Sequence, residues 1–522
     1  MSVNDNDELP GWMNYSTEDQ LEQPVDTNIT GTIPTWVTGT LYRNGSGMFK
    51  VGETTVKHLF DGMAVIHKFI IKDGKVQYQN KLLDSDTLTR CLKANRLVVG
   101  QFATAAFPDP CKSIFARFFS YFRPEMTDNT AVNIVPHGDT LLAMTETPGI
   151  NIVDPETLTK KGSIQLDKLV AVHMATAHPH TDPDGTMYNL GTSFNHKQAY
   201  NIIKIPPQEK GEDNSFSRAS LVSTFPSRWK ANIAYNHSFG MSENYFVVLE
   251  QTLVTNILKL PLMKFTGTGF ESCLYNYPTE QVLIHLARRS DGKTVTTRYT
   301  TDALFCFHFI NCYENDGHIV IDLCAFDDGG IVHDVYIKKI KDGIFSNNYA
   351  KVRRYVLPLD VEKAEGGKNL VTLEDTSATA VKQADGSIFC TPDYITGDAS
   401  NGVRMDLPRI NYSYNAKKYR YAYGSELLTD TPRLTKVDLK TKTCVHWIAD
   451  EGDQPGEPVF IERPGATEED DGVILSPVFS LSETGRNAFL LVLDAKTFKE
   501  LARAETPPGV KMPLTFHGSF IP

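Results

Sequence analysis

Asp-Gly pairs recur along this chain between short runs in which apolar and polar residues alternate. They stand in FIIKDGKVQYQN, HTDPDGTMYNLG, RRSDGKTVTTRY, YENDGHIVIDLC, VKQADGSIFC and EDDGVILSPVF. Asp-Gly supplies the positive φ angles that tight hairpin turns need, and alternation is typical of strands with one buried face. Strong helical patterns are few. The sequence therefore predicts an all-β, mostly antiparallel fold, which leaves a sandwich, a barrel or a propeller open.

The chain is predicted to form one domain over residues 1–522. Its 522 residues, 41% of them hydrophobic, suffice for a large buried core. We find no convincing fixed repeat, and no low-complexity linker divides the chain. The polar stretches 206–217 and 451–456 are typical of surface insertions rather than of domain boundaries.

Charge and hydropathy argue against several classes of protein. The 52 basic and 63 acidic residues give a net charge of −11, which disfavours a nucleic-acid partner. No apolar run reaches the roughly 18 residues of a transmembrane helix, and the polar, acidic N-terminus is unlike a secretory signal. We therefore expect a cytoplasmic protein. Its eight scattered cysteines, with no CxxC pair, are expected to be reduced thiols.

Two segments, 108–124 and 253–265, interrupt the strand pattern with large apolar residues and isolated basic ones. The first carries an apolar stripe at helical spacing, formed by Cys111, Ile114, Phe115, Phe118, Phe119 and Phe122. The second carries Leu258, Leu260 and Leu262 beside lysines. The stripe predicts either a helix packed on its own core or one lying in a membrane interface. Two such segments favour peripheral membrane contact.

Four of the 14 histidines stand in apolar or aromatic, strand-like surroundings: His178, His237, His308 and His517. Taken singly, each is more often a core residue than a metal ligand. The chain has no HExxH pair and no GxSxG elbow, which argues against zincin and serine-hydrolase chemistry. It also has no phosphate-binding loop, so no nucleotide cofactor is expected.

The motifs around these histidines resemble those of the carotenoid cleavage oxygenase family, which includes the β-carotene oxygenases and the vertebrate retinoid isomerohydrolase. Matching stretches run along the chain from GTLYRNGSGMFKVG and HLFDGMAVIHKF through ATAHPHTDPDGTMYNLG, YNHSFGMSENYFVVLEQ and FHFINCYENDGHIVIDLC to PLTFHGSFIP. Within the family, the chain is most similar to the insect isomerooxygenase branch. The resemblance implies a seven-bladed β-propeller with a loop and helix cap over the face that bears Fe(II).

The resemblance also implies roles for individual residues. The iron ligands, and hence the catalytic centre, would be His178, His237, His308 and His517, with His178 chosen over His180 because it directly precedes a proline. The carboxylates that contact the ligand histidines and orient them would be Glu146, Asp406 and Glu457. Asp406 departs from the family's usual glutamate, so it needs a water or a shifted backbone to reach its histidine. A substrate tunnel would be lined by Phe60, Phe102, Phe326 and Phe516, for which core packing is the alternative.

This set of residues suits oxygen chemistry on an apolar substrate. Neutral imidazoles bind Fe(II), and four of them leave two octahedral positions free for dioxygen. Carboxylates that accept the far ring N–H fix the direction of each ligand. An apolar tunnel would select a polyene by burial, at about 25 cal/mol per Å².

We therefore expect a non-haem Fe(II) dioxygenase that uses O2 to cleave a carotenoid at its central 15,15′ double bond into retinal-type aldehydes. Trans-to-11-cis isomerisation of one product would accompany cleavage. Alternatives are a retinyl ester isomerohydrolase, eccentric 9′,10′ cleavage, or a carotenoid-binding protein without activity. The segments 108–124 and 253–265 would face a membrane at the tunnel mouth, where Cys111 is either lipidated or a plain thiol.

Overall fold

Strands dominate the computed structural model of the chain, which describes residues 9–113, 115–116, 125–194, 197–344, 347–426, 428–429, 431–480 and 487–522. Within these residues, there are seven sheets of four to six strands, and most strands of each sheet come from one stretch of the chain. They are the blades of the predicted seven-bladed β-propeller, and we number them 1 to 7. Pairing within the blades is antiparallel, apart from one parallel contact between Tyr299–Thr301 and Ile388–Thr391 in blade 4.

Blades 1 to 4 come from the first part of the chain together with its C-terminal strand. Blade 1 comprises Val25–Asp26, Gly39–Met48, Met63–Lys72, Lys75–Leu82 and His517–Ile521. Blade 2 comprises Asn133–His137, Thr140–Met144, Gly149–Val153 and Lys160–Gln165. Blade 3 comprises Met174–Ala175, His180–Thr181, Met187–Ser193, Ala199–Ile205 and Ser220–Pro226. Blade 4 comprises Gly240–Met241, Tyr245–Glu250, Val282–Arg288, Tyr299–Thr301, Thr379–Lys382 and Ile388–Thr391.

Blades 5 to 7 complete the ring. Blade 5 comprises Phe305–Asn315, His318–Phe326, Lys351–Pro358 and Asp393–Tyr394. Blade 6 comprises Asp406–Arg409, Tyr421–Ser425, Arg433–Asp438 and Thr443–Ile448. Blade 7 comprises Asn28–Gly31, Asp453–Pro455, Val459–Glu462, Gly472–Ser480, Phe489–Asp494 and Glu500–Glu505. Two small sheets comprise Asn232–Ala234, Leu253–Asn256 and Leu274–Asn276, and Lys50–Val51 and Thr54–Thr55.

Helices are short and lie between strands. The α-helices are Asp86–Ala94, Met263–Thr266, Ile331–Asp334 and Ile337–Lys341. The 3-10 turns are Gly11–Met13, Thr17–Asp19, Leu59–Asp61, Leu166–Lys168, Phe216–Arg218, Leu260–Leu262, Phe270–Cys273 and Tyr412–Tyr414. In the described part of the chain, no helix has the length and apolar composition needed to cross a bilayer.

Both ends of the chain close the ring. The N-terminal strand Asn28–Gly31 pairs with Glu500–Glu505 in blade 7, and the C-terminal strand His517–Ile521 pairs with Gly39–Met48 in blade 1. Buried Leu41 of blade 1 and Leu490 of blade 7 belong to one apolar cluster across this seam. Blade 7 therefore contains a strand from the N-terminal part of the chain, and blade 1 contains the C-terminal strand. The two blades also pack against each other.

The Asp-Gly turns are confirmed at five of the six predicted places. Asp316 and Gly317 have φ values of 44° and 73°, as a two-residue hairpin requires. The prediction was wrong at Gly472, which opens the strand Gly472–Ser480 instead of making a turn. A Cβ at Gly472 would lie 2.2 Å from the carbonyl oxygen of Ile461, so close strand approach is the reason for this glycine.

Candidate metal centre and substrate cavity

His178, His237, His308 and His517 converge although they come from four different parts of the ring. Their ligand nitrogens all lie within 4.8 Å of one another. His178 lies between two short strands of blade 3, and His237 immediately precedes blade 4. His308 lies in the first strand of blade 5, and His517 begins the C-terminal strand in blade 1. The site therefore exists only once the ring has closed.

A β-bulge directs His308 towards this centre. The strand register shifts between Cys306, which pairs with Ala325, and His308, which pairs with Cys324. Consecutive residues of a regular strand face opposite sides, whereas a bulge re-aims them. As a result, both Phe307 and His308 line the same cavity.

The spacing of the imidazoles fits a metal ion. The Nε2 atoms of His178 and His237 are 2.8 Å apart, and those of His308 and His517 are 3.3 Å apart. Nitrogens held at about 2.1 Å from a common ion, as is usual for histidine ligands, lie about 3 Å apart when they are neighbours. The four buried or half-buried side chains could therefore hold one metal ion.

Three carboxylates accept hydrogen bonds at Nδ1 of three of these histidines. Glu146 contacts His237. The Oδ1 atom of Asp406 lies 2.6 Å from Nδ1 of His308, and Oε1 of Glu457 lies 2.8 Å from Nδ1 of His517. With Nδ1 occupied, each ring presents Nε2 to the centre, which is the arrangement that orients metal-binding histidines.

Asp406 reaches His308 directly, without a bridging water. The backbone around it departs from a regular strand, because the register shifts between Asp406 and Arg409 and Leu407 has φ of 47°. The shorter side chain was expected to reach His308 through either a water or a shifted backbone. The structure has the shifted backbone.

Burial disfavours the protonated form of His178, His237 and His517. It lowers the pKa of His178 well below its ordinary value and lowers that of His237. It lowers the pKa of His517 to about 3, against the opposing effect of Glu457. Neutral imidazole is the form that binds a metal, so proton competition near neutral pH is weak.

A cavity of about 930 Å³ adjoins the centre and is lined by His237, His308 and His517. All four phenylalanines predicted to lie along a tunnel contribute to its wall: Phe60, Phe102, Phe326 and Phe516. Phe60 packs edge-on against Phe102 and Phe516, with ring centroids 5.5 and 5.7 Å apart. The cavity lies at the upper end of the size range of small-molecule sites, about 300–1,000 Å³.

Sequence reasoning missed three further wall residues, Tyr235, Phe307 and Phe270. The Tyr235 hydroxyl donates a hydrogen bond of 2.5 Å to Oε2 of Glu146, so it helps to hold that carboxylate. Tyr235 lies two residues before His237, and Phe307 directly precedes His308. Proximity to a ligand was therefore the signal that could have identified both.

His180 lies outside the cluster. Its Nε2 atom is 3.0 Å from the backbone carbonyl oxygen of Phe239, and its ring packs edge-on against the Phe239 ring. It therefore serves packing in blade 3.

The cap over the cavity includes the short helices Met263–Thr266, Ile331–Asp334 and Ile337–Lys341, each of which lines the cavity. Leu258, Leu262 and Phe265 are more than half exposed, whereas Leu260 is only partly exposed and lines the cavity. The prediction for 253–265 was wrong at its start, because Leu253–Asn256 is a mostly buried strand that pairs within a small sheet.

The first predicted segment, 108–124, is described only in part. Cys111 and Phe115 are exposed, and Phe115 has 76% of its surface free. Ile114, Phe118, Phe119 and Phe122 lie outside the described residues.

Replacing Glu146 with glutamine should weaken metal binding about 10- to 100-fold, the usual effect of losing such an outer carboxylate. Glutamine keeps the size of the side chain but carries no charge. It also has a single acceptor oxygen, whereas Glu146 uses one oxygen for His237 and the other for Tyr235. Equilibrium dialysis of the metal would measure the change. Unaltered affinity would contradict the orienting role of Glu146, and a Glu243→Gln variant on the surface controls for charge.

Comparison with known proteins agrees with this geometry. The family model for the retinal pigment epithelial membrane protein, RPE65, matches residues 14–522. The β,β-carotene 15,15′-dioxygenase of Gallus gallus is 42% identical, covering 97% of each chain, and that of Homo sapiens is 40% identical over 97% of this chain and 93% of its own. A Synechocystis apocarotenoid oxygenase superposes with a TM-score of 0.74 at 22% identity, over 97% of this chain and 99% of that one. A cobalt-substituted form of that oxygenase gives a TM-score of 0.73. The chain therefore belongs to the RPE65 family of carotenoid oxygenases.

Proposed function

We propose that this protein is a non-haem Fe(II) dioxygenase that cleaves a carotenoid at its central 15,15′ double bond. The observation that carries the proposal is the convergence of four imidazoles beside a cavity with aromatic residues in its wall. Relatives that are 40–42% identical over nearly the whole chain are β,β-carotene 15,15′-dioxygenases, which supports both the substrate class and the bond.

The donor set supports iron as the metal. Four neutral nitrogen ligands leave the charge of a ferrous ion unchanged and leave two octahedral positions free. Iron held there supplies the redox chemistry that activates dioxygen. The carboxylates Glu146, Asp406 and Glu457 contact the far side of three rings, so they orient the imidazoles instead of filling positions at the ion.

The walls of the cavity position the substrate and exclude water. Phe307 and Phe326 pack edge-on with centroids 5.9 Å apart, and Phe307 also packs against His237. A polyene lying along this wall would be stabilised by burial at about 25 cal/mol per Å² of apolar surface. The position of the central double bond relative to the histidines would then depend on how far the terminal ring of the polyene enters the cavity.

The deciding experiment supplies β-carotene or zeaxanthin in detergent to the iron-loaded protein under ¹⁸O2 and separates the products by chromatography. We expect two retinal-type aldehydes, each with one labelled oxygen. Anaerobic turnover of a retinyl ester would instead indicate an isomerohydrolase, and 9′,10′ products would indicate eccentric cleavage. Tight pigment binding without iron would indicate a carrier. Coupled trans-to-11-cis isomerisation remains a prediction that the same chromatography tests.

We further propose that the protein is cytoplasmic and contacts membranes peripherally through the exposed apolar residues around the cavity. Leu258, Leu262 and Phe265 are exposed on either side of Leu260 in the sequence, and both Leu260 and Phe265 line the cavity. A carotenoid dissolved in lipid could therefore pass from the bilayer into the cavity without crossing water. Cys111 is exposed near the described end of the other segment, where it is either a plain thiol or a site for lipidation.

A triple Leu258→Asp, Leu262→Asp, Phe265→Asp variant should bind phosphatidylcholine vesicles at least about tenfold more weakly, because each buried apolar side chain is worth about 1.5–3 kcal/mol. Vesicle flotation would measure this. The single variant Ile448→Asp is the control, because Ile448, at 64% exposure, is about as exposed as Leu258, at 65%, but lies on the outer strand of blade 6. Equal vesicle binding by both variants would contradict the proposed surface.

A further inference from the structure

Two arginines share the carboxylate that orients His517. Arg43, which is fully buried, contacts Glu457 through Nη1. Arg409 donates from Nε to Oε1 of Glu457 at 2.7 Å and from Nη2 to Oε2 at 3.1 Å. Glu457 therefore has three partners, namely His517 and the two arginines.

The same two arginines also bind the backbone on either side of His517. Nη2 of Arg43 donates to the carbonyl oxygen of Phe516 at 2.6 Å, and Nη2 of Arg409 donates to that of Gly518 at 2.6 Å. Arg43 belongs to blade 1 and Arg409 to blade 6, whereas Glu457 lies between two strands of blade 7, Asp453–Pro455 and Val459–Glu462. The ligand, its carboxylate and its flanking backbone are thus fixed together across three blades.

The other two carboxylates have different surroundings. Glu146 accepts from Tyr235 and His237, and Asp406 accepts from His308. Over the residues that the structure describes, neither forms an ion pair with lysine or arginine. The cationic charge around the centre is therefore concentrated on the His517 side.

Charge near a buried redox metal favours one oxidation state. Three carboxylates and two guanidiniums leave one net negative charge around the imidazoles, whereas the carboxylates alone would leave three. Because charges interact strongly at low dielectric, added negative charge stabilises the ferric ion more than the ferrous one. Positive charge has the opposite effect.

We propose that Arg43 and Arg409 are positioning residues for the metal centre that fix the direction of His517 and, by their charge, raise the reduction potential of the bound iron. The inference rests on the proposed function, because it takes iron as the metal. The positive charge of the two arginines would stabilise the ferrous form of the metal, which dioxygen chemistry requires.

The test compares Arg409→Gln and Arg409→Lys in the full-length protein loaded with ferrous iron. Arg409 is the better target because its side chain is partly exposed, and Arg43 still pairs with Glu457 in both variants. Anaerobic redox titration, followed by the electron paramagnetic resonance signal of ferric iron, gives the midpoint potential. We expect a lower potential in Arg409→Gln and a nearly unchanged one in Arg409→Lys. Arg420→Gln, which breaks the ion pair with Asp438 in the same blade, is the control.

A second variant keeps the test decisive if Arg409→Gln folds poorly. Glu457→Gln removes negative charge and should shift the potential upwards. The ligand-field absorption bands of cobalt(II)-loaded protein report geometry separately. They should change in Arg409→Lys, because lysine cannot hold both Glu457 and the Gly518 carbonyl oxygen.

Each part of the inference can fail separately from the function. Unshifted potentials in Arg409→Gln and Glu457→Gln would overturn the role of charge, as would an equal shift in Arg409→Lys. Unchanged cobalt bands in Arg409→Lys would overturn the positioning role. Failure of the native protein to bind iron would overturn the proposed function and this inference together.

Discussion

Replacing His308 with alanine is expected to abolish both metal binding and polyene cleavage. The Nε2 atoms of the four histidines face one another at the proposed centre, and alanine at position 308 would leave only three of them. Loss of one ligand also leaves Asp406 buried without its imidazole partner. The loss of metal affinity should therefore exceed the roughly 100-fold that removal of an outer carboxylate can cost.

Metal content by mass spectrometry and product formation by chromatography would measure the two effects in the same samples. His446→Ala is a matched control, because His446 lies on the outer strand of blade 6, where it contacts Thr435 of the neighbouring strand. Near-ultraviolet circular dichroism would establish that both variants are folded. Cleavage at the native rate by the His308→Ala variant would reject the assignment of the ligand set.

The parts of the fold that sequence reasoning predicted depend on short-range chemistry. The hairpin at Asp316–Gly317 follows from two adjacent residues that tolerate positive φ. Gly472 shows the limit of that reasoning. The same dipeptide occurs there, but its glycine is required by the carbonyl oxygen of Ile461 on a paired strand, which no local pattern reveals.

The ligand set was predicted from whole motifs rather than from spacing. His178 and His517 are 339 residues apart in the sequence, and only ring closure brings them together. The local sequence pattern alone favours a core residue at each of these histidines. The assignment of the metal ligands therefore depends on the family resemblance. The structure brings the four positions together, and each lies at or near a strand end.

What the sequence could not indicate are contacts made by ordinary-looking residues over long distances. Arg43 pairs with Glu457 across 414 positions, and it lies in a strand that reads as plain β-structure. In a regular strand, Phe307 and His308 would face opposite sides. The bulge instead places both side chains in the wall of the cavity. Sequence periodicity assumes a regular strand, so it fails where a site requires an irregular one.

Deleting residues 517–522 should lower the stability of the metal-free protein by at least about 3 kcal/mol, since the lost strand makes several backbone hydrogen bonds worth about 0.5–1.5 kcal/mol each. The strand His517–Ile521 pairs with Gly39–Met48 from Asn44 to Thr40, so its removal opens the inner edge of blade 1. It also removes the Gly518 carbonyl oxygen from Arg409. Thermal unfolding without metal would measure the loss.

The point variant His517→Ala separates ring closure from metal binding. It keeps the strand, and Glu457 stays paired with both arginines, so the metal-free protein should unfold near the native temperature. It lacks a ligand, however, so added iron should no longer stabilise it, whereas iron raises the stability of the native protein by mass action. If the truncated and native metal-free proteins unfolded at the same temperature, the C-terminal strand would contribute no stability to ring closure. The position of His517 at the start of that strand would then be unrelated to closure. The opposite result would mean that the protein completes its metal centre in the same step that joins its last blade to its first.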